Sequence, residues 1–153
     1  MMFLTHVALS VLVGLLGIKY FHPSNQILFF FLVILFGALP DIDTGKSKIG
    51  RKLPLISHTI SFLFGHRGVF HSIYLPIALF FVFNFYFGFS VAVAVALGYA
   101  SHLLGDALTH QGIKPFHPLH DFQLKGFFST GSATELIIMG IIIAMDVYYL
   151  FSF

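Results

Sequence analysis

"FSVAVAVALGYASHLLGDALTH", residues 89 to 110, decides how the chain folds. It is about as long as the roughly 20 residues a membrane-spanning helix needs, and its first half is apolar enough for the interior of a bilayer. Its second half sets His102, Asp106 and His110 at steps of four, each about 40° further round a helix than the last, so that all three share one stripe. Such a stripe is either a buried hydrogen-bond network or a chemical site, and the rest of the sequence has to separate the two.

The composition places the chain in a membrane. Of its 153 residues 58% are hydrophobic and only 9% charged, with a mean hydropathy of +0.93; a soluble domain carries roughly 25% charged residues. The expectation is one integral membrane domain over residues 1–153. Cysteine is absent, so disulfides and thiolate metal sites are excluded, leaving His, Asp and Glu as ligands for a first-row metal. Nine histidines against six carboxylates is an unusual ratio. The net charge of +2 comes from only eight Lys and Arg, which gather in no basic helix, so nucleic acid is not an expected partner. No Lys or Arg precedes the apolar run "FLTHVALSVLVGLLGI" and no A-x-A site closes it, so the first segment reads as a retained span rather than a secretory signal.

Five segments approach spanning length, at about residues 3–20, 26–40, 72–87, 89–110 and 132–152. The second ends in "FGALPDID", where Pro40 should break the helix near the membrane surface. Leu53 to Phe64 is apolar with few charges and reads as a short interfacial or re-entrant helix. The predicted fold is therefore an all-α, polytopic helical bundle with about five transmembrane helices and a short interfacial helix. Five spans put Lys46, Lys48, Arg51, Lys52, Arg67, Lys114 and Lys125 on the side of the N-terminus and leave only Lys19 on the other. By the positive-inside rule the N-terminus and both long loops are expected to be cytoplasmic. The 21 phenylalanines read as lipid-facing bulk, and Tyr148, Tyr149 and Phe151 as an interfacial belt.

This topology gathers the polar residues. His6 starts the first helix, Asp41 and Asp43 end the second, His66, Arg67 and His71 lead into the third, and His102, Asp106 and His110 close the fourth, all at one face. Ionisable groups at membrane depth cost a few kcal/mol each and therefore turn inward to find partners. Taken singly each piece has a bland explanation: His6 as an interfacial side chain, "PDID" as a helix stop and turn, "HRGVFHS" as a charged loop tip. Taken together they point to a shared cation. Imidazole nitrogens and carboxylate oxygens suit zinc, with manganese and iron as the other first-row choices, and a catalytic centre keeps a position open for water. A spare carboxylate or imidazole then serves as general base, and Arg67 offers a planar fork for a phosphate or carboxylate.

At these residues the sequence resembles the YdjM/YbcI-like (DUF457) family of small integral membrane proteins, commonly labelled membrane-bound metal-dependent hydrolases. The resemblance rests on Thr5-His6, "PDID" at 40–43, "HRGVFHS" at 66–72 and "SHLLGDALTHQG" at 101–112, in that order, from His6 to about Pro118. It implies His6, Asp41, Asp43, His66, Arg67, His71, His102 and Asp106 as site residues. His110 stands outside the family pattern and rests on the stripe alone; His117, His120 and Asp121 read as ordinary loop residues. We assign His6, Asp41, His66, His102, Asp106 and His110 as metal ligands and Asp43, His71 and Arg67 as catalytic groups. The function expected is a metal-dependent hydrolase at the cytoplasmic membrane surface, acting on an amphiphilic or lipid-linked ester or phosphoester. The alternative is a transporter that carries metal ions or protons on the same cluster; it would need polar residues through the far half of the membrane, where helices 1, 3 and 5 offer little beyond Ser10, Asn84 and Asp146.

Overall fold

The computed structural model describes residues 1–43 and 69–152. It is all-helical: α1 (Phe3–Phe21), α2 (Gln26–Ala38), α3 (Tyr74–Phe87), α4 (Phe89–Ala107) and α5 (Ala133–Leu150). Short 3₁₀ turns at Leu39–Asp43 and Val69–His71 follow α2 and precede α3. The five helices match the five apolar segments of the sequence. Three of them, α1, α4 and α5, are long and apolar enough to cross a membrane. The 14 residues of α3 reach only about 21 Å at 1.5 Å per residue, short of a 30 Å hydrocarbon core. The short helix expected over residues 53–64 lies outside the described residues.

Local sequence accounts for most of the boundaries. The Asn25 side chain accepts from the Leu28 N–H at 3.0 Å and caps α2. Gly88 alone joins α3 to α4 at φ 85°, a conformation L side chains rarely adopt, which lets the chain reverse within one residue. Pro40, fully buried, sits in the 3₁₀ turn and ends α2 two residues earlier than the expected stop at residue 40.

The largest departure is at α4, expected to run to residue 110 and observed to end at Ala107. Apolar residues continue past that point, but Thr109 turns its hydroxyl onto the Asp106 carbonyl at 2.8 Å and accepts the Gly112 N–H at 3.3 Å. The chain from Gly126 to Phe128 then pairs with residues 108 to 110, taking the backbone groups that a further helical turn would have used.

α4 is the central helix, packed on α1, α2 and α3, whereas α5 packs on α1. Phe29, Val33, Val93 and Ala94 form the core between α2 and α4, and Ala8, Leu12 and Ile142 the seam between α1 and α5. Gly98 makes the close approach possible: a Cβ there would run into the Val33 backbone carbonyl of α2. The outward faces stay apolar, with Ile27, Phe31, Phe81, Phe85, Ile137 and Ile141 all exposed, as lipid contact requires.

Candidate metal centre

Close packing of α4 on α1 and α2 brings four pieces of chain to one point. His6 comes from the first turns of α1, Asp41 from the 3₁₀ turn after α2, His71 from the turn before α3, and His102 and Asp106 from α4. The three imidazoles and Asp106 are at most 1% exposed, while Asp41 is 17% exposed and forms the open edge.

Asp106 is the hub. Its Oδ1 lies 3.2 Å from His6 Nε2 and 2.5 Å from the Met1 amino group, and its Oδ2 lies 3.3 Å from His71 Nε2. The His6 and His102 rings stack at 3.9 Å, and the His71 ring meets His102 edge-on at 5.4 Å. Donor atoms of His6, Asp41 and His102 fall within 4.8 Å of one another, and so do those of His71, His102 and Asp106.

His102 carries the clearest chemical information. Its Nδ1 lies 2.9 Å from the Gly37 carbonyl oxygen, which can only accept, so Nδ1 carries the proton. In the neutral ring this leaves a lone pair on Nε2, and that fully buried atom has no hydrogen-bond partner among the described residues. It lies 3.9 Å from Asp41 Oδ1 and 3.8 Å from Asp106 Oδ2, beyond hydrogen-bond range. A tetrahedral ion with bonds of about 2.1 Å holds its ligands about 3.4 Å apart, close to the spacing of these donors. Buried polar atoms are seldom left without a partner, and a His whose far nitrogen is held by a backbone carbonyl is how metal-binding imidazoles are commonly oriented. The residues present fit a divalent cation.

Supporting groups surround the centre. Ser10 donates to the His6 carbonyl at 2.8 Å and meets the Ser101 hydroxyl at 3.1 Å. The Tyr99 hydroxyl donates to the Phe70 carbonyl at 2.8 Å, tying the turn that carries His71 to α4. Glu135, absent from the sequence-based site, is fully buried at the start of α5 and accepts from the Met2 N–H at 2.6 Å and the Gly131 N–H at 2.7 Å. The spacing Ser132-x-x-Glu135 is a capping-box signal that could have drawn notice to it, and the Ser132 hydroxyl does accept from the Glu135 N–H at 3.3 Å.

Of the residues predicted from sequence, the structure brings together His6, Asp41, His71, His102 and Asp106. Asp43 closes the 3₁₀ turn beside them, and its side chain lies outside the described part. His66 and Arg67 also lie outside the described residues. His110 stands past the end of α4, exposed, with its backbone N–H on the Phe128 carbonyl, and is not drawn into the cluster.

A polytopic helical membrane protein with a buried His/Asp cluster suited to a metal ion is the class that fold and site define. The chain belongs to the YdjM inner membrane protein family, whose model matches residues 1–152. It is 38% identical over 117 residues to the uncharacterized protein YvsG of Bacillus subtilis, covering 74% of this chain and 73% of YvsG. It is also 38% identical over 91 residues to the inner membrane protein YdjM of Escherichia coli, covering 56% of this chain and 46% of that protein. The chain therefore matches less than half the length of the E. coli relative. No solved structure matches it.

Proposed function

We propose that this protein is a metal-dependent hydrolase whose centre lies at the cytoplasmic face of the membrane and acts on a lipid or lipid-linked ester or phosphoester. The observation that carries the proposal is the His102 ring: one nitrogen held by a backbone carbonyl, the other bare, buried and flanked by two carboxylates. Because Nε2 has a single lone pair, His102 can serve only one ion. The two overlapping triads then describe one centre, with His102 common to both.

In this reading His6, Asp41, His102 and Asp106 hold the ion, zinc being the best match to a nitrogen-rich, four-donor set. The chemistry a bound divalent cation supplies is Lewis acidity, enough to make water nucleophilic near neutral pH. His71 stands 3.3 Å from Asp106 Oδ2, an arrangement in which an imidazole can take up a proton and pass it on. Asp43, two residues beyond Asp41 in the sequence, is the second candidate for that role. His66 and Arg67 precede His71 by a few residues; we assign His66 as a further ligand and Arg67 as the fork that holds the substrate's phosphate or carboxylate. A head group at the membrane surface reaches a site at this depth, which favours amphiphilic substrates over soluble ones.

The transporter reading draws on the same cluster, and one feature of the far half of the bundle bears on it. Asp146 of α5 has a buried carboxylate oxygen without a partner among the described residues, well along the helix from Glu135. Between the centre and Asp146 the described part of the α1–α5 seam packs Ala8, Leu12 and Ile142 together, an apolar contact that favours the hydrolase. The test is metal analysis of the purified protein beside its His102→Ala form, followed by a screen of membrane lipids and phosphodiester analogues for metal-dependent hydrolysis. Loss of metal in the variant and turnover by the wild type are expected. Movement of metal across sealed vesicles with no hydrolysis would put the transporter in its place.

A further inference from the structure

The loop joining α4 to α5 is not a free coil. Backbone pairs between Thr109 and Phe128 and between Ile113 and Leu124 fold it into a compact unit. Two contacts draw it back beside the helix ends. Ile113 is buried with Tyr99, Leu103 and Ala107 of α4, against Leu75 and Leu79 of α3, and the Pro115 carbonyl accepts from the Ile73 N–H at 2.9 Å. The loop thus stands level with the ends of α3 and α4.

Its outer surface does not suit water. Phe116, Leu119, Phe122, Leu124 and Phe127 are between 41% and 79% exposed, and the Phe116 and Phe122 rings lie together at 6.4 Å. Polar residues alternate with them: Lys114 pairs with Asp121 at 2.8 Å, and Gln123 and Lys125 are exposed. Large apolar side chains clustered on an exposed surface mark a contact, and interleaved aromatic and basic residues match the head-group zone. Both ends of the loop continue into spanning helices, so the nearest apolar phase is the leaflet that those helices enter.

We propose that residues 108–131 form a membrane-surface platform, with Leu119 and the neighbouring phenylalanines seated in the interfacial zone of the protein's own bilayer. The platform's hold on Ile73 lies two residues from His71, so docking on the leaflet also fixes the edge of the metal centre. The proposal rests on the membrane fold and not on the hydrolase reading, and it stands or falls separately.

The chain has no tryptophan, so one introduced indole gives a clean signal. Leu119→Trp in the full-length protein is to be reconstituted into vesicles of phosphatidylcholine and phosphatidylglycerol, with and without a dibrominated phosphatidylcholine. Phe122→Trp, made alongside, covers the case in which the first variant fails to fold. Emission shifted to shorter wavelength than free indole, strong quenching by the brominated lipid and weak quenching by aqueous iodide are expected. Quenching by iodide with none by brominated lipid would place the loop in water. Quenching by neither would mean that protein covers it. Either result overturns the platform.

Discussion

At the scale of single residues the centre turns on Asp106 and the bare nitrogen of His102. Asp106 faces two imidazoles and the Met1 amino group with two carboxylate oxygens, a role its amide counterpart cannot fill, because an Asn would turn an NH₂ toward one of those donors. Asp106→Asn is therefore expected to weaken metal binding by at least the ten- to hundredfold typical of losing a supporting partner, read by metal titration of the purified protein. Equal affinity in wild type and variant would make the cluster a hydrogen-bond network and remove the ligand assignment. Arg67 tests the other half of the proposal. A hydrolase of anionic esters uses a guanidinium to hold substrate and offset developing charge, whereas a cation carrier gains only repulsion from one beside its ion. Arg67→Lys keeps the charge and loses the bidentate fork, so metal content should stay at the wild-type level while turnover falls roughly a hundredfold. Loss of metal in this variant, measured before any activity, would favour the carrier.

At the scale of elements, the centre depends on how helix ends are fastened. Glu135 starts α5 yet holds the backbone of Met2, so it sets where α1 begins and hence where His6 points. Glu135→Ala leaves the part-buried Met2 and Gly131 N–H groups without their acceptor, at about 1 kcal/mol each. The thermal midpoint in detergent should fall by several degrees and the metal affinity with it, while Glu135→Gln, which keeps one acceptor, should lie between variant and wild type. Unchanged stability in Glu135→Ala would show that the Met2 and Gly131 N–H groups find other partners. The same paired contact marks what the sequence reveals and what it hides. Ser132-x-x-Glu135 is legible as a cap because both members sit within one turn. Its bond to Met2 is not, since it joins opposite ends of the chain. The end of α4 is hidden for a like reason: apolar spacing runs on through Leu108, and what stops the helix is the returning segment at 126–128, which local pattern does not reveal. That same extended period puts His110 on the stripe.

At the scale of the whole molecule, the five helices were legible because a lipid environment demands long apolar runs, and the meeting of His6, Asp41, His71, His102 and Asp106 followed from alternating spans. Hydropathy does not encode which helix is central, a matter settled by small residues such as Gly98 against α2. Orientation is a separate question, carried by charge. If the loops at 41–71 and 111–131 face the cytoplasm, they hold seven of the eight basic residues, the arrangement that insertion favours. The chain has no native cysteine, so Lys48→Cys and Lys125→Cys can each be labelled without background. Neither should react with a membrane-impermeant maleimide in intact cells or right-side-out vesicles, and both should react once the membrane is opened. A cysteine replacing Phe151, at the opposite end of α5, should label from outside in the same cells and serves as the internal standard. The reverse pattern would turn the bundle over and move the candidate metal centre to the outer leaflet, where any lipid substrate would have to be sought among a different set of head groups.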